Sequence, residues 1–232
     1  MTYEEYQKAE QERIERNIAY LESGVDFIDL RSAYIDEGVK IGKGTVIYPC
    51  VVLEGDVSIG ENCVIGQNSR IVDSKIGDGT TIQSSVILES TVGNDTKVGP
   101  FAYLRPNSVI GDGCKVGDFV EVKNSTMGDG AKASHLTYIG DSDVGSKVNL
   151  GCGVVFVNYD GSKKYRSVVE DEAFIGCNSN LVSPVHVGKK AYVAAGSTIT
   201  QDVPDGALYV ARARGKVLDG WVEKRGILKK DK

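Results

Sequence analysis

The sequence predicts an all-β solenoid: a prism with three flat faces, wound from short strands. Three observations carry that expectation. An aliphatic residue followed by glycine occurs fourteen times between Ile41-Gly42 and Val187-Gly188. Aliphatic residues recur six apart even where the glycine is missing. Ile41, Ile47, Leu53, Ile59, Ile65 and Ile71 form one such run, Val98, Leu104, Ile110, Val116 and Val122 another, and Ile175, Leu181, Val187, Val193 and Ile199 a third. The phase also survives for about 165 residues with only occasional five-residue steps, which an ordinary α/β chain has no reason to hold.

Each hexad lays down one strand, turns its aliphatic residue inward and rounds a corner where glycine relieves the backbone. Three hexads complete a coil, so about eight or nine coils are expected. Residues 1–24 precede the repeat. Tyr3, Tyr6, Ile14, Ile18 and Leu21 lie there at helical spacing among Glu and Arg, which predicts an amphipathic helix. The prism is expected over 25–204, with residues 157–168 (VNYDGSKKYRSV) interrupting the phase as an inserted loop. Insertions of that kind are where solenoids commonly carry function. Residues 205–232 form a short tail with Trp221 and several basic residues.

Composition narrows the function classes. The 232 residues are 41% hydrophobic and 25% charged, with a net charge of −5, which argues against a general nucleic-acid or membrane-surface binder. No apolar run approaches the roughly 18 residues of a membrane span. The acidic, polar start MTYEEYQKAEQER is no signal peptide. Cys50, Cys63, Cys114, Cys152 and Cys177 are odd in number and contain no CxxC pair. They read as free thiols of a cytoplasmic protein. No GxxxxGK[ST] loop is present, so nucleotide hydrolysis is not expected.

In a repeat this regular, the informative residues are those that break it. Arg105 follows Leu104 and Lys123 follows Val122, each where glycine is common. With no short step between them, they belong on successive coils, about 4.8 Å apart. Stacked like charges repel. An anion such as a phosphate, gripped by a guanidinium fork and an ammonium, would account for them. The alternative is two long side chains in solvent or paired with Glu121 and Asp118. His135 comes two residues after Ala133, a small residue in an aliphatic position, with Tyr138 and Asn149 further on. An imidazole is suited to accept a proton near neutral pH. His186 lacks such company and reads as structural. The loop adds Asn158, Tyr159, Lys163, Lys164 and Arg166, and the run after the last coil adds Arg212 and Arg214.

The phrases GPFAYLRP (99–106), FVEVKN (119–124), SHLTYIGD (134–141), VNYDG (157–161) and YVAAGSTIT (192–200), with the ARAR tail, resemble a known family. It is the acetyltransferase domain of the bifunctional N-acetylglucosamine-1-phosphate uridyltransferase/glucosamine-1-phosphate N-acetyltransferase. The resemblance implies a left-handed parallel β-helix of hexapeptide repeats, with the hand taken from the family. It implies acetyl transfer from acetyl-CoA to the 2-amino group of glucosamine 1-phosphate, in UDP-N-acetylglucosamine and cell-envelope synthesis. His135 would be the general base. Arg105, Lys123, Tyr138, Asn149 and Lys164 would bind the sugar phosphate. Cys152, Asn158, Tyr159, Cys177, Ala195 and Arg212 would contact acetyl-CoA. A homotrimer with sites between subunits is implied, and no metal is needed for acetyl transfer.

The chain departs from the family in three ways. The family's nucleotidyltransferase domain has no counterpart, so uridyl transfer is not expected and a separate uridyltransferase would be the partner. Cys152 and Cys177 stand where the family usually has alanine and serine. GCGVVFVNYDG is more apolar than the usual run there. An acyltransferase for another phosphorylated amino sugar, and a non-catalytic hexapeptide-repeat scaffold or sensor, are the competing readings. A zinc-dependent carbonic anhydrase on the same prism would need three histidine ligands per site, which two histidines per chain do not readily supply.

Overall fold

The structure, a computed structural model, describes residues 1–227; residues 228–232 of the expected tail lie outside the described residues. Strands of two to four residues stack into three parallel sheets of eleven, ten and nine strands, one for each face of a prism. On the first face Val46 pairs with Val64, Val64 with Thr81 and Thr81 with Lys97, so these coils run sixteen to eighteen residues. The ten strands of the second face mark ten coils, more than the eight or nine expected. Two causes account for the difference. The shorter coils fit more turns into the same length, and the prism extends beyond the glycine-marked repeat. It begins at Asp26–Phe27 and runs past residue 204 to Leu208–Tyr209.

Each strand turns one side chain inward. Ile47, Ile65, Ile82, Val98, Val116, Leu150, Ile175 and Val193 form one such column, all buried. Burying a side chain of this size contributes about 1.5–3 kcal/mol, and the columns from the three faces meet in one continuous core. A strand only two or three residues long cannot be held by its own contacts. The in-register coil above and below supplies them.

Polar residues finish the corners. Thr45 Oγ1 donates to the Gly60 carbonyl at 2.8 Å and accepts from Cys63 N–H at 3.0 Å. Thr80 and Thr96 repeat the bridge from later coils. Between the third and first faces, Asp78, Asn94, Asp112, Asp129 and Asp171 each accept, through Oδ1, the N–H of a residue one coil earlier. These threonine hydroxyls, and the N–H groups that they and the Asp and Asn side chains accept, are thereby satisfied without breaking the stack.

The helix α1 (Tyr3–Glu22) opens with a capping box between Thr2 and Glu5. It lies against the first coil and hydrogen-bonds its carbonyls. Arg13 donates to Arg31 and Ala33, Arg16 to Ile35, Asn17 to Leu30 and Ala33, and Tyr20 to Val39. Among the described residues no helix is long and apolar enough to cross a membrane.

The central coils should bear the most load, because their side chains are packed from both sides. Leu104 is fully buried. Leu104→Ala is expected to cost about 2–5 kcal/mol, read as a lower midpoint in chemical denaturation with the circular-dichroism spectrum retained.

Candidate active site

Around the middle coils, the corner between the first and second faces carries an unusual column. The strand Lys115–Asp118 pairs with Lys132–His135, so that Asp118 lies opposite His135. Lys132–His135 in turn pairs with Asn149–Leu150, and that strand with Phe174–Ile175 and then Tyr192–Val193. Continued through the corner, the same register aligns Asp118, His135, Cys152, Cys177 and Ala195 on successive coils. Four residues expected at the site thus fall into one line, although the chain between Cys152 and Cys177 includes the insertion.

Glycines beside the column keep its wall thin. A Cβ on Gly117 would meet the Ser134 carbonyl oxygen at 1.9 Å, and one on Gly176 would meet Ala195 N at 2.5 Å. No other residue fits there without pushing the coils apart. The backbone N–H groups of Cys152, Cys177 and Ala195 find no acceptor among the described residues, in contrast to the aspartate-capped corner. Arg212 closes the line from the tail, its Nη1 donating to the Ala195 carbonyl at 2.7 Å.

His135 is exposed at the head of this column, with its Nδ1 2.5 Å from Oδ1 of Asp118. The hydrogen bond from His135 holds the Asp118 carboxyl below its ordinary value. With Nδ1 engaged by a carboxylate, Nε2 is the ring nitrogen left to meet a ligand. The sequence offered Asp118 only as a partner for a cation. Its pairing with the imidazole follows from a coil of seventeen residues, which hexad counting does not anticipate.

The second face begins at this corner. Leu104 pairs with Val122, so Arg105 and Lys123 follow one rung apart on the same face, as their spacing predicted. Both are already engaged. Arg105 Nη1 donates to Glu121 Oε1 at 2.8 Å, and Lys123 Nζ donates to Asp141 at 2.8 and 3.1 Å. The expected alternative of pairing with Glu121 therefore holds for Arg105. Lys123 does not pair with Asp118, which faces His135 instead.

Asp141 is the residue that sequence reasoning missed. It sits on a left-handed corner at φ 49°, nearly buried. Burial pushes its carboxyl up, but hydrogen bonds from Asn124, Lys123 and Asn158 outweigh that and hold it below the ordinary aspartate value. The same contact with Asp141 raises the Lys123 ammonium, and the Lys164 side chain lies beside it. Tyr138 spreads over this face because Gly140 leaves room, since a Cβ there would fall 2.4 Å from the phenol oxygen. Asn158 donates to that oxygen at 3.4 Å.

The inserted loop is an ordered hairpin. Asp160 accepts from the Ser162 and Lys163 N–H groups, and Tyr159 bridges to Lys164. Arg166 is spent on Asp143 and on the Asn124 and Ser142 carbonyls, so it anchors the hairpin. Tyr159 is exposed, its hydroxyl donating to the Gly161 carbonyl. Asn149 is not brought to Tyr138; it lies on the first face, around the corner. His186, as expected, stands apart, facing Glu170 on the third face. Among the described residues no three His, Cys, Asp or Glu side chains gather as a metal site would require.

Known proteins resemble this chain. Residues 89–124 match the family described as bacterial transferase hexapeptide (six repeats), residues 30–105 the GMPPB C-terminal domain, and residues 167–201 the hexapeptide repeat of succinyl-transferase. A protein of Clostridioides difficile (strain 630) named bifunctional protein GlmU is 57% identical over 209 residues, covering 90% of this chain and 46% of that protein. The GlmU of Clostridium beijerinckii is 55% identical over 226 residues, covering 96% and 50%. The chain therefore spans about half the length of the curated relatives it matches. Among solved structures, an Arabidopsis UDP-N-acetylglucosamine acyltransferase aligns over 88% of this chain and 76% of its own, with a TM-score of 0.51 at 18% identity. That likeness bears on the fold.

The Asp141 cluster predicts a pH signature. Its depressed folded-state value stabilises the fold fully above the unfolded aspartate value of about 3.9. The contribution drains away as pH falls through the lower folded value. Asp141→Asn should therefore cost about 2 kcal/mol at neutral pH. It should also flatten the decline in denaturation midpoint between about pH 5 and pH 2 relative to the parent chain.

Proposed function

Since the chain belongs to the GlmU family over the half of those proteins' length that it spans, we propose that it transfers the acetyl group of acetyl-CoA to the 2-amino group of glucosamine 1-phosphate. The observation that carries the reading is the corner column, with the Asp118–His135 pair at its head and unpaired N–H groups below it. A thioester lying along Cys152, Cys177 and Ala195 would bring its carbonyl to the head of the column. The Cys152 N–H is free there to hold the oxyanion of a tetrahedral intermediate. Asp118 fixes the imidazole tautomer, and Nε2 of His135 takes the proton from the 2-amino nitrogen as the neutral amine attacks the thioester carbon. The C–N bond forms as the tetrahedral intermediate appears, the C–S bond breaks as it collapses, and coenzyme A leaves as its thiol with the proton that His135 returns.

Arg105, Lys123 and Lys164 are the phosphate grip. Glu121 and Asp141 keep two of these cations in position before substrate arrives, so three cations face two carboxylates and a dianionic phosphate is still attracted. A phosphate would share the guanidinium with Glu121 rather than displace it, because the fork has donors to spare. Tyr138 covers the sugar from the second face. Asn158, Tyr159 and Arg212 would meet the coenzyme.

A homotrimer completes the site in this reading. Asn149 is around the corner from Tyr138, so a sugar touching both requires faces from two copies. Beside the column, Phe101, Phe119 and Leu136 stand exposed on consecutive coils at φ 58°, 54° and 47°, and the two phenyl rings stack at 5.5 Å. Bulky residues held in the left-handed region cost conformational energy, and a neighbouring prism would cover the ridge they make. The pathway context, UDP-N-acetylglucosamine and cell-envelope synthesis in the cytoplasm, comes with the family.

Release of coenzyme A thiol from acetyl-CoA with glucosamine 1-phosphate and a panel of other amino-sugar phosphates tests the assignment. Glucosamine 1-phosphate is expected to be the preferred acceptor, and equal or better turnover of another acceptor overturns it. His135→Ala should lower kcat by about 10²–10⁴. Arg105→Ala should act mainly on KM for the sugar phosphate, by about tenfold or more. Light scattering should give three times the 24.9 kDa chain mass.

A further inference from the structure

Two of the five thiols stand on adjacent coils of the corner just described. Asn149 pairs with Phe174 and Leu150 with Ile175, which puts Cys152 opposite Cys177 two residues further on. The ladder is held on both sides of the pair: Gly151 N–H donates to the Ile175 carbonyl and Asn178 N–H to the Cys152 carbonyl, each at 2.8 Å. The residues that follow, Gly153 and Asn178, share the left-handed conformation, at φ 75° and 55°. Both cysteines therefore enter the same corner with the same backbone geometry, and their side chains leave it on the same side. The rung fixes their Cα atoms at about 4.8 Å, inside the roughly 4.4–6.8 Å that a disulfide spans.

The other three thiols are differently situated. Cys63 and Cys114 are buried, and their Sγ atoms lie 3.1 and 3.2 Å from the carbonyls of Gly77 and Gly128. Burial raises both thiols above their ordinary value. Cys50 is exposed on an early coil, far along the stack from Cys152 and Cys177. Only Cys152 and Cys177 combine register with access, Cys177 being exposed and Cys152 partly so.

We propose that Cys152 and Cys177 form a reversible disulfide that closes the acyl-CoA line of this corner to a thioester. This rests on the reading of the column as the acyl-CoA site. A two-electron oxidant such as hydrogen peroxide converts the more accessible Cys177 thiolate to a sulfenic acid, releasing hydroxide that takes up a proton as water. The Cys152 thiolate then attacks that sulfur, the S–S bond forms and hydroxide leaves, taking up a proton as a second water. A dithiol reductant reverses the link by exchange. The consequence is local. The bridge lies across the rung immediately below His135, where the pantetheine arm would run, and it leaves the phosphate grip on the second face untouched.

The experiment treats the full chain with hydrogen peroxide and reads three things. Intact mass should fall by about 2 Da per bridge, as two thiol hydrogens are lost. Peptide mapping should find Cys152 joined to Cys177, with Cys63 and Cys114 still free. Acetyl-CoA turnover should drop at least tenfold and return with dithiothreitol, while a Cys177→Ser chain forms no bridge. Bridges to other cysteines, or separate sulfinic acids at Cys152 and Cys177, overturn the proposal. A Cys152–Cys177 bridge with unchanged turnover overturns its gating role. Failure of the acyltransferase reading is distinguishable, since the untreated chain would then turn over no acyl-CoA while the mass measurement still reports the bridge.

Discussion

The hydrogen-bonded rung between successive coils is the constraint on which everything else in this molecule depends. Parallel, in-register pairing fixes the spacing along the stack and makes every corner a copy of the one before. A residue's neighbours are then those one coil away in sequence, whatever their chemistry. A column of aliphatic side chains becomes a core, a column of threonines a set of bridges, and a column of aspartates a set of caps. The same rule brings an imidazole, two thiols and an alanine into line at the corner where catalysis is proposed. The fold thus builds this column by substituting single residues in a lattice, with the inserted hairpin set beside it.

Electrostatics decide what that lattice can hold. Arg105 and Lys123 are forced within a rung of each other by the register and would repel if left alone. Glu121 and Asp141 offset the repulsion, and Asp141 can do so while nearly buried because Asn124, Lys123 and Asn158 all donate to it. The pairs keep long, flexible side chains extended over the second face, so less ordering is needed when an anion binds. Under the proposed function the cost is competition: an incoming phosphate would share donors with carboxylates already present.

The all-β class, the three faces, the leading helix and the shared face of Arg105 and Lys123 were legible in the sequence, because they depend on periodicity alone. The hexad count misjudged the number of coils, since steps of five accumulate into coils of sixteen or seventeen residues. Those same short coils hid the Asp118–His135 contact, which no six-residue reckoning anticipates. Asp141 was invisible for another reason. A carboxylate at a left-handed corner resembles the many turn aspartates of such repeats, and only its partners distinguish it. The family resemblance drew the eye to Cys152 and Cys177 one at a time, whereas their opposition across a rung required the register through the inserted loop to be known.

A stack of rungs has no natural end, because its last strand offers the same open hydrogen-bonding edge as any other. The helix α1 removes that invitation at one extremity: two guanidiniums, an amide and a phenol occupy carbonyls to which a further coil, or another molecule, could otherwise attach. Attachment of a further coil at that extremity is blocked by a lid of side chains, which leaves the flanks of the column as the surfaces on which the proposed trimer would form.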